Sequence, residues 1–64
     1  MIEVVFTRLV SGEWVVEGNT PRAIALILDR RAFLLDDEGR MVVPRFDVED
    51  FAAELEAAGV SVHV

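Results

Sequence analysis

Apolar side chains alternate with other residues near the start of the chain, in a pattern typical of a β-hairpin. Residues Ile2 to Val10 are rich in β-branched and apolar types, and Trp14 to Glu17 form a second such run. Ser11 and Gly12 lie between the two runs and indicate a turn. The sequence therefore predicts two antiparallel strands at the N-terminus.

Two registers of this hairpin are consistent with the sequence. A two-residue loop pairs Leu9 with Trp14, whereas a three-residue loop pairs Val10 with Trp14. We favour the second, because it groups the apolar residues on one sheet face, and a slip of one residue would invert the faces. The grouped residues are Val4, Phe6, Trp14 and Val16. The opposite face then carries Val5, Leu9 and Val15.

The next segment reads as a helix introduced by a cap. Thr20 is a good N-cap residue, and Pro21 is well suited to the first helical position. We expect a helix from Arg22 to Arg31; a buried strand over Ala23 to Leu28 is the competing interpretation, since short apolar runs fit both. The helix would direct one side to the core and leave Leu26 opposite it. The core side would carry Ile24, Ile27, Leu28 and Arg31.

A second hairpin is predicted in the middle of the chain. The runs Ala32 to Asp36 and Arg40 to Pro44 bracket a turn at residues 37–39, where Gly39 suits a left-handed conformation. The acidic side chains of Asp36, Asp37 and Glu38 are candidate ligands for a divalent cation. Their spacing does not match a calcium-binding loop, and acidic residues before a turn glycine are ordinary turn chemistry, so we expect no metal here.

The C-terminal segment predicts a helix followed by a strand. Asp47 is placed to cap a helix from Val48 to Ala58, and Gly59 is placed to end it. The strand Val60 to Val64 alternates valines with Ser61 and His63. Five helical residues share one apolar face: Val48, Phe51, Ala52, Leu55 and Ala58.

These elements predict one α+β domain spanning residues 1–64. The expected fold is a small, antiparallel-rich sheet with two helices on one face, of the ferredoxin-like split βαβ type with an extra N-terminal hairpin strand, and it ends in a β-α-β unit. The predicted core consists of Ile2, Val4, Phe6, Trp14, Val16, Ile24, Ile27, Leu28, Val48, Phe51, Leu55, Val60 and Val62.

Composition adds an expectation of self-association. The 64-residue chain is 53% hydrophobic, which is above the usual ~45–50%. A domain this small cannot bury every large apolar side chain, so we expect a homodimer or higher homo-oligomer. It has no cysteine and a single histidine, His63, so disulfides and thiolate metal sites are excluded, and we expect no cofactor.

The charge and the N-terminal sequence limit which binding partners and which cellular location we expect. A net charge of −6 argues against nucleic-acid binding, which needs a positive surface. No apolar run approaches the length of a membrane span, and no signal peptide is evident, so we expect a cytoplasmic protein. All six basic residues are arginines, which suggests a GC-rich or thermophilic bacterial source.

No catalytic motif is evident, and we expect a non-enzymatic protein. Ser11 or Ser61 with His63 would be a nominal nucleophile and base, but serine and histidine in short strands are usually surface residues. The outer face of the second helix carries only acidic charges, so arginines of one copy are candidates to meet that face on another. The expected interface residues are Val5, Leu9, Val15, Leu26, Arg30, Arg31, Arg45 and Glu54.

The segment from Glu13 to Ile24 resembles the strand, Gly-x-Thr turn and helix start of small HicB-like antitoxin domains. The likeness covers about a fifth of the chain. Within residues 1–64, neither the proline- and glycine-containing loop that precedes this strand in the family nor a DNA-binding segment is found. The resemblance implies a partner-binding protein. It stands beside two other expectations. One is a self-associating interaction module that acts through the sheet or an edge strand. The other is a ferredoxin-like regulatory domain that binds a small molecule at the subunit interface, in a pocket lined by Arg30, Arg31 or Arg45.

Overall fold

The computed structural model describes residues 1–31 and 41–64. The elements are β1 (Val4–Arg8), β2 (Trp14–Gly18), α1 (Pro21–Arg30), β3 (Met41–Val43), a 3-10 helix (Arg45–Asp47), α2 (Val48–Ala57) and β4 (Val62–His63). The predicted strand Ala32 to Asp36, the turn at 37–39 and Arg40 lie outside the described residues, and so does the candidate cation site.

The strands form one mixed sheet in the order β3-β2-β1-β4. Strand β2 is antiparallel to both neighbours, and β4 is parallel to β1. Strands β3 and β4 therefore run in the same direction at opposite edges, and α2 connects them. The α+β class is confirmed. The ferredoxin-like arrangement is not, because α1 lies between β2 and β3, which are antiparallel neighbours, whereas a split βαβ helix joins parallel strands.

The hairpin register differs from both predicted registers. Arg8 pairs with Trp14, and the Leu9 N–H donates to the Glu13 carbonyl at 2.7 Å. The loop is three residues long but begins one residue earlier than expected, so that Gly12, with φ of +92°, occupies its last position. That position requires the left-handed region, which glycine reaches without strain. The partner of Trp14 is therefore Arg8 and not Val10, a shift of two residues in the pairing. A shift of two leaves every side chain on the same face of the sheet, so the predicted grouping of faces is retained.

Helix α1 begins as the Thr20-Pro21 signal predicts. Thr20 is extended, and its hydroxyl accepts a hydrogen bond from the Ala23 N–H at 3.2 Å. The helical interpretation of residues 22–31 is therefore confirmed, with Arg31 as the C-cap. Gly18 sets the approach of this helix to the sheet, because a Cβ there would lie 2.9 Å from Cγ1 of Ile24.

Helix α2 ends in a Schellman motif. The Val60 N–H donates to the Leu55 carbonyl, and the Gly59 N–H donates to the Glu56 carbonyl. Gly59 has a φ of +98°, as this ending requires. At the other end, Asp47 occupies the N-cap position, but its side chain makes no capping hydrogen bond and binds Arg31 instead.

The core lies between one sheet face and the two helices. It consists of Val4, Phe6, Val16, Ala23, Ile27, Val43, Val48, Phe51, Ala52, Leu55 and Val60, with Trp14, Leu26, Met41 and Val62 packed against it. The core prediction is wrong for Ile2, Ile24 and Leu28, which are exposed. The side of α1 that packs against the sheet carries Ala23 and Ile27. Ile24 and Leu28 consequently lie on the solvent-facing side of the helix.

Candidate interaction surface

A charged cluster ties the start of β1 to the start of α1. Arg22 donates from Nε and Nη2 to the two carboxylate oxygens of Glu3, at 2.9 and 2.8 Å, and Nη2 also donates to the Gly59 carbonyl at 2.8 Å. The Thr20 hydroxyl donates to Oε1 of Glu3 at 3.0 Å. The same hydroxyl caps α1, so one threonine serves both the helix and the cluster.

The cluster strongly favours the ionised form of Glu3. The Arg22 hydrogen bonds, helped by those from Thr20 and the backbone of Ser61, outweigh partial desolvation and lower the pKa of Glu3 to about 2. The pKa of Arg22 is raised, chiefly by the same hydrogen bond. Both groups stay charged across the physiological range, so neither is poised to exchange a proton near neutral pH.

A second cluster lies at the other end of the helices. Arg31 donates to Asp47 through Nε at 2.8 Å and Nη2 at 3.3 Å, and to Glu54 through Nη1 at 3.2 Å and Nη2. Nη1 also donates to the Arg30 carbonyl at 3.0 Å, which engages all five donors of the guanidinium. The guanidinium carbon lies 4.9 Å from the centroid of the Phe51 ring, a cation–π contact.

Together the clusters hold α1 and α2 antiparallel. Arg22 joins the start of α1 to the end of α2, and Arg31 joins the end of α1 to the start of α2. Hydrogen bonds to Asp47, and then to Glu54, raise the pKa of Arg31 above its usual range. Arg31 and Glu54, two of the predicted interface residues, are thus paired with each other inside one chain.

The other predicted interface residues are spread over three places. Val5 and Leu9 are half-buried, and Val15 is 7% exposed, so these three residues present little apolar surface on the sheet face away from the helices. Leu26 is packed against the core. Arg30 is exposed on α1, and Arg45 is exposed in the 3-10 helix. The structure therefore does not bring the eight predicted residues together into one surface.

Sequence reasoning missed a continuous apolar surface on α1. We define the α1 outer face as Pro21, Ile24, Ala25 and Leu28, all of which are exposed. Their spacing of i, i+3, i+4 and i+7 places them on one side of the helix. Ile24 is 46% exposed and Leu28 is 59% exposed, although the opposite side of α1 is already buried. The uninterrupted run from Ala23 to Leu28 carried this signal, because it has more apolar residues than one buried stripe needs.

An open cleft lies where α2 begins. We call it the Trp14 cleft; it has a volume of about 650 Å³. Its lining comprises Trp14, Arg45, Phe46, Val48, Glu49, Asp50 and Val64. Phe46 is 86% exposed at its rim. The cleft therefore combines aromatic surface with charges of both signs.

The residues considered for catalysis do not form a site. The Ser11 hydroxyl donates to Glu13 Oε1 at 3.2 Å and accepts from the Glu13 N–H at 3.4 Å, which closes the hairpin turn. Among the described residues, no hydrogen bond joins a serine to His63. Within residues 1–31 and 41–64, no helix has the length and apolar character needed to cross a bilayer.

The comparisons with known proteins place the chain in no family. No protein-family model, no curated protein and no solved structure matches it. The segment that resembles HicB-like domains forms β2, the turn at residues 19 and 20, and the start of α1. That likeness remains local.

Proposed function

We propose that this protein is a small non-enzymatic interaction module that acts as a homo-oligomer. One observation carries the proposal: α1 presents large apolar side chains to solvent on one side while its other side is buried in the core. Exposed apolar surface of this kind usually marks an interaction site. The two charged clusters support the non-enzymatic part of the proposal, because their arginines and carboxylates are paired with each other within the chain.

Size-exclusion chromatography with light scattering tests self-association directly. A monomer has a mass of 7.1 kDa. We expect a mass of at least twice that value at concentrations of about 100 μM, falling towards the monomer value on dilution. A mass that stays at 7.1 kDa over the whole concentration range would refute the proposal.

The Trp14 cleft favours a second candidate function, which is regulation by a small molecule. Arg45 in its lining supplies a positive charge beside the carboxylates of Glu49 and Asp50, which together suit a zwitterionic small molecule, and Trp14 and Phe46 supply flat apolar surface. Trp14 is the only tryptophan in the chain, so its fluorescence would report directly on occupancy. A panel of amino acids and other small zwitterions should include one that shifts this emission and raises the melting temperature, since a ligand at 100 times its Kd stabilises by ~2.7 kcal/mol. If none does, this candidate is refuted.

The HicB-like resemblance supports a related proposal, in which the partner is a different protein. Capture of one defined partner from the native host, with the complex persisting after purification, would support it. A purified protein that forms only homo-oligomers would favour the first proposal.

A further inference from the structure

The α1 outer face is apolar along its whole length, and one of its flanks carries charges of opposite sign at its two ends. Arg22 lies near the start of the helix and Asp29 near its end. They are seven residues apart, so they lie on the same side of α1, next to Ala25. Both are exposed, and the Arg22 side chain remains 62% exposed while bound to Glu3.

This arrangement is complementary to itself. In a two-fold symmetric pair, each contact from residue i to residue j is repeated from j to i. When two helices pack antiparallel, the same flank of each meets in opposite directions, so Arg22 of one copy faces Asp29 of the other, twice. A guanidinium that bridges two carboxylates already occurs here, where Arg31 binds Asp47 and Glu54. Arg22 can therefore keep its hydrogen bonds to Glu3 and donate to a second carboxylate.

The apolar residues fit the same arrangement. The midpoint between positions 22 and 29 falls next to Ala25, whose small side chain permits close approach of the helices near the two-fold axis. Ile24 and Leu28 then pack across the interface on either side of that axis. We propose that two copies of this chain associate through the α1 outer face, with α1 antiparallel to its symmetry mate and Arg22 of each copy facing Asp29 of the other.

This inference rests on the proposed self-association and names its surface. A helix of 10 residues is ~15 Å long and presents less than the ~800 Å² per partner of a standard interface. The dimer should consequently have a dissociation constant in the micromolar range. A covalent trap is therefore the most sensitive test, and the chain suits it because it has no cysteine.

The experiment places one cysteine at a time in the full chain. Ala25→Cys should form a disulfide-linked dimer under mild oxidation, because the two copies of this position approach at the axis. Ala53→Cys, exposed on α2, is the matched control and should stay largely monomeric on a non-reducing gel. Equal cross-linking of the two variants, or stronger cross-linking of the control, would overturn the inference.

Charge substitutions at exposed positions provide a second readout by light scattering. Leu28→Glu should weaken association by at least about tenfold, since it places a carboxylate in an apolar contact. Asp29→Arg should weaken it more than Asp29→Asn, because it sets arginine against Arg22. Phe46→Glu, in the Trp14 cleft, should leave association unchanged. Circular dichroism would verify that each variant is folded.

Different outcomes refute the α1 interface and the proposed self-association. A wild-type chain that is monomeric at every concentration refutes self-association itself. A wild-type dimer that survives Leu28→Glu refutes only the α1 interface. If Phe46→Glu alone abolishes that dimer, the copies associate through the Trp14 cleft, and the α1 interface is again refuted.

Discussion

Ile27 and Leu28 are neighbours of equal size on one helix, yet the structure gives them opposite environments. Ile27 is 2% exposed in the core, whereas Leu28 is 59% exposed on the α1 outer face. Replacing each by alanine changes the same number of carbon atoms at adjacent positions. The pair therefore measures the rotation of α1 about its axis, which is the feature that the sequence pattern predicted wrongly.

The expected costs follow from burial. Ile27→Ala should lower the free energy of unfolding by ~2–5 kcal/mol, which combines lost apolar transfer with a cavity beside Gly18. Leu28 has about two-fifths of its surface buried, and full burial of a leucine contributes ~1.5–3 kcal/mol, so Leu28→Ala should cost about 1 kcal/mol or less. A 64-residue domain has a total stability of only ~3–10 kcal/mol, so the difference is large relative to the whole.

Urea unfolding, followed by Trp14 fluorescence and circular dichroism, measures both costs. The measurement has to be made at a protein concentration where wild type is monomeric, because Leu28→Ala would otherwise also lose stabilisation from the dimer. If the unfolding free energy depends on urea concentration with a similar slope in wild type and both variants, the substitutions change stability and not the surface exposed on unfolding. A cost for Leu28→Ala equal to that for Ile27→Ala under these conditions would mean that α1 is rotated relative to the structure.

Three other predictions concern single residues. Phe51→Ala should cost ~3–5 kcal/mol in urea unfolding, because the buried ring packs edge-on to Phe6 with centroids 5.7 Å apart; Glu56→Ala, an exposed control on the same helix, should cost less than about 0.5 kcal/mol, and the reverse result would mean that the buried and exposed sides of α2 are exchanged. Gly59→Ala should cost ~1–2 kcal/mol through backbone strain alone, since no atom lies within 4 Å of the added Cβ, and an unchanged melting temperature would contradict the positive φ. Glu3 contributes stability that is complete above its ordinary pKa of 4.5 and is lost as pH falls towards about 2, so Glu3→Gln should flatten the loss of melting temperature over that range; an unchanged acid profile would contradict the ion pair.

Local signals in the sequence determined where most elements begin and end. Thr20 and Pro21 start α1, and the Schellman motif at Gly59 ends α2, because caps are interactions between residues a few positions apart. The apolar stripe on α2 likewise predicted the burial of Phe51 and Leu55. The opposite face of this helix is charged, so only one side could be buried.

The tertiary structure alone decided how these elements meet. Helix α1 is apolar on two sides, so periodicity could not choose its buried side. In the structure Ala23 and Ile27 are buried, and Cδ1 of Ile27 lies 3.2 Å from the position that a Cβ would take at Gly18. The left-handed conformation of Gly12 fixed the hairpin register. Arg31 finds partners 16 and 23 residues away, a pairing that depends on the placement of both helices. The candidate interface follows from that placement, because the side of α1 that does not enter the core is left to face a second copy.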